Sequence, residues 1–77
     1  MQVHVRKKHI ARGEPDTVTY CPVALALADL LGTEVHVEST YIKLGRCRFR
    51  LPLRVRQFIR RFDTGQPVKP FTFTFTL

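Results

Sequence analysis

The residues best equipped for chemistry in this 77-residue chain are arginines. Arg46, Arg48 and Arg50 alternate with Cys47, Phe49 and Leu51. Strand alternation places all three arginines on one sheet face, with roughly 6–7 Å per step. Arg54 follows at the start of the next helix. A guanidinium is a planar fork that can donate two parallel hydrogen bonds to a phosphate. The chemistry implied is anion binding: several phosphates, or one multiply charged ligand. The plainer alternative is a solvated polar face. Three like charges in a row repel, and a face with no other task mixes its signs. That argument favours a phosphate-binding set of Arg46, Arg48, Arg50 and Arg54.

A second, weaker set surrounds the approach to the first helix. His9 stands with Lys7, Lys8 and Arg12 in a basic cluster, and Tyr20 could stack on a base. Free N–H groups and the dipole at the helix start at Pro22 favour an anion. Cys21 sits at that start, where a thiol can gain thiolate character, or where a small buried residue can simply pack. No metal or other cofactor is expected: His4, His9 and His36 are not at ligand spacing. Catalysis has little support. Glu14, Asp16, Asp29, Glu34, Glu38 and Asp63 form no motif, and no Gly-rich phosphate loop follows a strand. A Cys21–His dyad is not required by anything in the sequence. The expectation is a protein that is not an enzyme.

These residues need elements to hold them. Val3 and Val5 alternate with His4 and Arg6 and open a first strand within Gln2 to Ile10, with the basic cluster at its end. A turn follows at Gly13 to Asp16. Pro22 to Leu31 reads as a helix, with proline at its first position and Gly32 just past its end. Its stripe is Val23, Leu27, Leu30 and Leu31. Thr33 to Glu38, Thr40 to Leu44 and Arg46 to Leu51 read as a meander turning at Ser39 and Gly45. Cys47, Phe49 and Leu51 form the inner face of its last strand. Pro52 to Phe62 reads as a second helix, with Leu51, Val55, Phe58, Ile59 and Phe62 as its core stripe. The final strand, Pro70 to Leu77, puts Phe71, Phe73, Phe75 and Leu77 on one face and three threonines on the other. That phenylalanine face must be covered or it would aggregate. The fold class is α+β in a single domain, residues 1–77. The element order is β-α-β-β-β-α-β, with one mainly antiparallel sheet and both helices packed on one face.

Size and charge bound the function. A chain this short buries only about 60% of its unfolded surface, so an oligomer contact would help. Leu25 and Leu53 each lie off their helix's core stripe and are the candidate interface residues. Thirteen Lys and Arg against six Asp and Glu give a net charge of +7, which favours an anionic partner. No run approaches the ~20 apolar residues of a membrane span. Met1 to Ile10 is not the apolar run of a signal peptide. With two free cysteines, the expectation is a cytoplasmic protein.

One resemblance spans most of the chain. It rests on His9-Ile10 followed by Gly13, on Cys21-Pro22-Val23-Ala24-Leu25-Ala26-Leu27, and on Leu51-Pro52 leading to Phe58-Ile59-Arg60-Arg61-Phe62-Asp63. Gly65, Val68, Pro70, Phe71 and Phe73 complete it. In these motifs the chain resembles a recurring group of small bacteriophage proteins. The resemblance implies a phage or prophage origin and action in the host cytoplasm. It transfers no active site, and the arginine array is not part of it. Small phage proteins include sponges that bind nucleotide immune messengers and hide them, an analogy of class only.

The resulting expectation is a non-enzymatic homo-oligomer that sequesters an anionic nucleotide-type signal, such as a cyclic oligonucleotide or an ADP-ribose derivative. Two rivals stand beside it. One is a basic nucleic-acid-binding protein, with steep salt dependence. The other is an inhibitor that docks on an acidic host protein.

Overall fold

The computed structural model describes residues 1–76. In chain order its elements are β1 (Gln2–Val5), α1 (Lys7–Arg12), α2 (Pro22–Leu31), β2 (His36–Val37), β3 (Tyr41–Leu44), β4 (Cys47–Arg50), α3 (Leu53–Asp63) and β5 (Phe71–Thr74). The fold is α+β, and all strand pairing is antiparallel.

The ends of the chain form one ladder. Val3 lies opposite Phe73, and Val5 opposite Phe71. The alternation of each strand decides which side faces inward. Val3, Val5 and Phe73 are buried, while His4 and Thr72 meet on the wet face through a 3.0 Å hydrogen bond. The ladder is extended by the N-terminal amine, which donates to the Phe75 carbonyl, and by Phe75 N–H, which donates to the Met1 carbonyl. The expected phenylalanine face is therefore covered at Phe73 and Phe75. Phe71 is half-buried. Leu77, expected on the same face, lies outside the described residues.

The expected single sheet is corrected to two. β1 pairs with β5, and β2-β3-β4 form a separate meander. Side-chain packing joins them where a ladder does not. The Phe75 ring meets Phe49 of β4 edge-on, with centroids 5.7 Å apart. Tilted and edge contacts of this kind suit the aromatic quadrupole. One core cluster runs through both sheets and the two long helices, from Val3 and Val5 through Val23 and Leu27 to Ile42, Leu51 and Val55.

A second correction falls on the end of the expected first strand, Gln2 to Ile10: from Lys7 the chain forms a short helix, Lys7–Arg12. The alternation that made β1 legible stops at Val5, and Lys, Ala and Arg are good helix formers. The helix start is closed by His9, whose Nδ1 accepts from Arg6 N–H at 2.9 Å. Two further side-chain placements differ. Leu30, assigned to the α2 stripe, is 48% exposed. The buried face of α2 runs instead through Val23, Ala24, Ala26 and Leu27, because α1 and β1 pack against its alanine side. Cys47 is exposed, not inward-facing. It pairs with Leu44 beside the turn of the β3–β4 hairpin, and of the two only Leu44 packs against the core.

α2 begins and ends as its sequence dictates. Cys21 is the N-cap, and its Sγ accepts from Ala24 N–H at 3.3 Å. Gly32 takes the left-handed conformation at the other end and donates to the Ala28 carbonyl.

Candidate anion-binding grooves

The four arginines of the expected array do not form one row. Gly45 and Arg46 make the two-residue turn between Leu44 and Cys47, with Gly45 at φ 58°. A tight hairpin turn of this kind demands positive φ at its first central residue. Arg46 thus sits at the hairpin tip, a correction to its expected place on the strand face. Arg48 and Arg50 do share the exposed face of β4. Lys43 lies opposite Arg48, and Tyr41 opposite Arg50. Arg48 leans diagonally, its guanidinium carbon 5.1 Å from the Tyr41 ring centroid. His36, opposite Lys43 on the other side, makes a 3.5 Å contact with Glu34. Like charges directly opposite across a ladder are unfavourable, so the Lys43–Arg48 pair costs the hairpin stability.

Arg54 belongs to a different surface. It lines a groove of about 420 Å³ between α3 and the link that runs into β5. Helical spacing puts Arg54, Gln57, Phe58 and Arg61 on one side of α3, with Arg54 and Arg61 about 10 Å apart along the axis. The link supplies the other wall with Val68, Lys69, Pro70 and Phe71. Phe71 packs on Phe58 with centroids 4.7 Å apart, which holds the link against the helix. The Arg54 guanidinium lies 6.0 Å from the Phe71 ring centroid. Among the described residues, three cations and no carboxylate line this groove.

The electrostatics of α3 sharpen the point. A helix N-terminus carries partial positive charge, and acidic residues are favoured there. The first turn of α3 contains none, and Arg54 stands in it. Pro52, at the N-cap position, makes no side-chain capping bond. Arg56 and Arg60, at i and i+4 spacing, repel each other across one turn. Arg60 and Arg61 are favoured by the dipole at the far end. Among the described residues, the ion pairs within 4.0 Å involve Lys8, His9, His36, Asp29 and Glu34, and no arginine.

The weaker candidates lie elsewhere. His9 is buried, and both ring nitrogens are engaged. Since Nδ1 accepts from Arg6 N–H, the Nε2 proton points to Asp29 Oδ2, 2.8 Å away. This bond, with Lys8 Nζ at 3.5 Å as a second influence, holds the Asp29 carboxyl below its ordinary range. His9 is therefore a clamp between α1 and α2, and not an open anion ligand. Arg12 and Tyr20 are exposed, and neither lines the α3 groove. Burial pushes the Cys21 thiol pKa up, so the cap is a neutral thiol. No group of three or more His, Cys, Asp or Glu suited to holding a metal ion occurs among the described residues. Among the described residues, no helix is long and apolar enough to cross a membrane.

Sequence reasoning missed Lys69, Gln57 and Arg61 as groove residues. Helical spacing sets Arg54, Gln57 and Arg61 along one side of α3, but the wall facing them depends on how residues 67–70 fold back. No protein-family model, curated protein or solved structure matches the chain.

Proposed function

We propose that this chain is a non-enzymatic binding protein that sequesters a phosphate-bearing, nucleotide-type ligand, with the α3 groove as its anion site. The observation that carries the reading is the groove itself. Arg54, Arg61 and Lys69 converge there without a carboxylate, beside Gln57 and an aromatic floor of Phe58 and Phe71. Planar guanidinium forks supply phosphate recognition, and an apolar ring face supplies a partner for a base. The Arg48 and Arg50 face of the hairpin adds long-range attraction for the same ligand class. The two groups best suited to catalysis are occupied. Cys21 is a buried cap, and His9 spends both nitrogens on Arg6 and Asp29. By analogy of class with small phage sponge proteins, the ligand we propose is a nucleotide immune messenger in a host cytoplasm.

An oligomer contact belongs to this proposal. Leu53 is 58% exposed at the start of α3, outside the lining of the anion groove, and is its main candidate. Leu25 is half-buried and offers less surface. Sedimentation of wild type and Leu53→Ser tests the contact: the variant sediments as a smaller species if Leu53 is in the interface.

The function is tested by a thermal-shift screen against cyclic di- and trinucleotides, ADP-ribose derivatives and a short DNA duplex, at low and moderate salt. A ligand present at 100 times its dissociation constant adds about 2.7 kcal/mol of stability. A salt-tolerant shift with one nucleotide, abolished in Arg54→Gln/Arg61→Gln, supports the proposal. Absence of any shift would leave docking on an acidic host protein as the better account.

A further inference from the structure

The α3 groove does not end at Phe71. A second groove of about 390 Å³ begins on the far side of the same residue and is lined by His4, Arg6, Lys7 and Thr72. Pro70 and Phe71 line both grooves and form the saddle between them. Among the described residues, no carboxylate lines either one. From end to end the path offers Arg61, Arg54 and Lys69, then the half-buried Phe71 ring with Pro70, then Arg6 and Lys7. The α1 start that presents Arg6 and Lys7 is fixed by the Arg6–His9 bond, so the second group of cations is held in place and does not trail from a free terminus.

A ligand with phosphate at one point fills one groove and leaves the other idle. A chain with phosphates on both sides of a base uses both. Single-stranded nucleic-acid sites combine a cationic track for the backbone with an aromatic platform for bases. Resting on the proposed anion role of the α3 groove, we infer that the full site is a two-groove track for a short single-stranded oligonucleotide. The backbone crosses the Pro70–Phe71 saddle and a base lies on Phe71. Arg54, Arg61 and Lys69 hold phosphate on one side, and Arg6 and Lys7 on the other. Neither groove is an enclosed cavity, which suits a strand that enters and leaves.

The test is isothermal titration of full-length protein with thymidine 5′-monophosphate and with an eight-residue oligothymidylate, at low salt. The oligonucleotide is expected to bind at least about tenfold more tightly, with stacking on one base alone able to contribute that much. Arg6→Gln/Lys7→Gln should weaken the oligonucleotide about tenfold and leave the mononucleotide unchanged. Arg54→Gln/Arg61→Gln should weaken both. Phe71→Leu keeps apolar bulk and should lower oligonucleotide affinity, with folding checked by circular dichroism. Lys43→Gln/Arg46→Gln removes the same charge at the hairpin and should leave the length dependence intact. Equal affinity for the two ligands, or an oligonucleotide affinity insensitive to Arg6→Gln/Lys7→Gln, overturns the two-groove track while the single-groove anion site survives. Loss of length dependence in the hairpin variant also overturns it, because bulk charge then accounts for the binding. A duplex that binds as tightly as the oligothymidylate overturns the single-strand assignment. Binding of neither ligand removes the anion site and the track together.

Discussion

α2 and α3 have nearly the same length, and both follow a proline at their start, yet they answer different demands. α2 holds one charged residue in ten, Asp29, and that residue is tied to His9 and Lys8. It is capped at both ends, by Cys21 and Gly32. α3 carries four arginines and one aspartate in eleven residues, an arginine in its unfavourable first turn, and no side-chain cap at its start. Its inward face is as apolar as the fold needs, through Val55, Phe58 and Ile59. Arg54, Arg60 and Arg61 lie exposed on the outside, while Arg56 is half-buried and its Nε donates to the Leu51 carbonyl. The caps and buried face of α2 serve folding, whereas the first-turn Arg54 and the Arg56–Arg60 pair of α3 work against it, as expected of a helix that holds an anion under the proposed function.

The comparison can be broken by substitution. Leu27→Ala removes a fully buried side chain at the centre of α2 and should cost about 2–5 kcal/mol. Chemical denaturation reads it directly. Arg54→Gln/Arg61→Gln should change stability by no more than about 0.5 kcal/mol, as expected for exposed sites, while abolishing anion binding. If the double variant instead unfolds the protein, α3 is a structural helix like α2, and the contrast fails.

Gly13 sharpens the α2 side. A Cβ there would stand 2.7 Å from Pro22 Cγ and 2.8 Å from Pro22 Cδ. Pro22 is buried, so the clash cannot be relieved outward. Gly13→Ala should cost about 1–3 kcal/mol, the range for overpacking, with no effect on anion affinity.

The α1–α2 clamp gives a pH dependence. Asp29 has a lowered folded-state pKa, first through the His9 hydrogen bond and then through Lys8. Its contribution is complete above the unfolded carboxyl's pKa of about 3.9 and is lost as pH falls through the lower folded value. Asp29→Asn should therefore narrow the difference in denaturation midpoint between neutral and strongly acidic solution. Since Asp29 is exposed, the narrowing is small. An unchanged difference would place the acid sensitivity elsewhere.

Thiol chemistry separates the two regions without a mutation. Cys47 is exposed at the hairpin tip, and Cys21 is a buried cap with a raised pKa. A maleimide should label one thiol per folded chain and two after denaturation, as counted by mass spectrometry. The smallest effect expected is in the helix dipole. Arg54→Gln alone should raise stability by about 0.3 kcal/mol by removing a cation from the first turn of α3.

The fold was legible wherever a local rule spoke clearly. Alternation marked Gln2–Val5, the meander and the phenylalanine strand, and proline and glycine bracketed α2. α1 was missed because Lys7–Arg12 shows neither a strand nor a strong helical stripe, and its start is closed by His9. The two-sheet arrangement depends on Phe49 meeting Phe75, a contact between residues far apart in sequence. The candidate site was half legible. Arginine chemistry and the flank of α3 were on the surface of the sequence. The position of Arg46 was lost because a left-handed Gly45 takes Arg46 into the turn. Lys69, Arg6 and Lys7 were invisible as partners, because only the return of the chain ends to one ladder brings Pro70 and Phe71 between them.

The most direct test is a proton–nitrogen NMR titration of the full chain with thymidine 5′-monophosphate. Saturable shifts at Arg54, Gln57, Arg61, Lys69 and Phe71, with the α2 interior unmoved, are the predicted result. Shifts centred on Lys43, Arg46 and Arg48, or shifts that never saturate, would contradict the assignment of the α3 groove as the anion site.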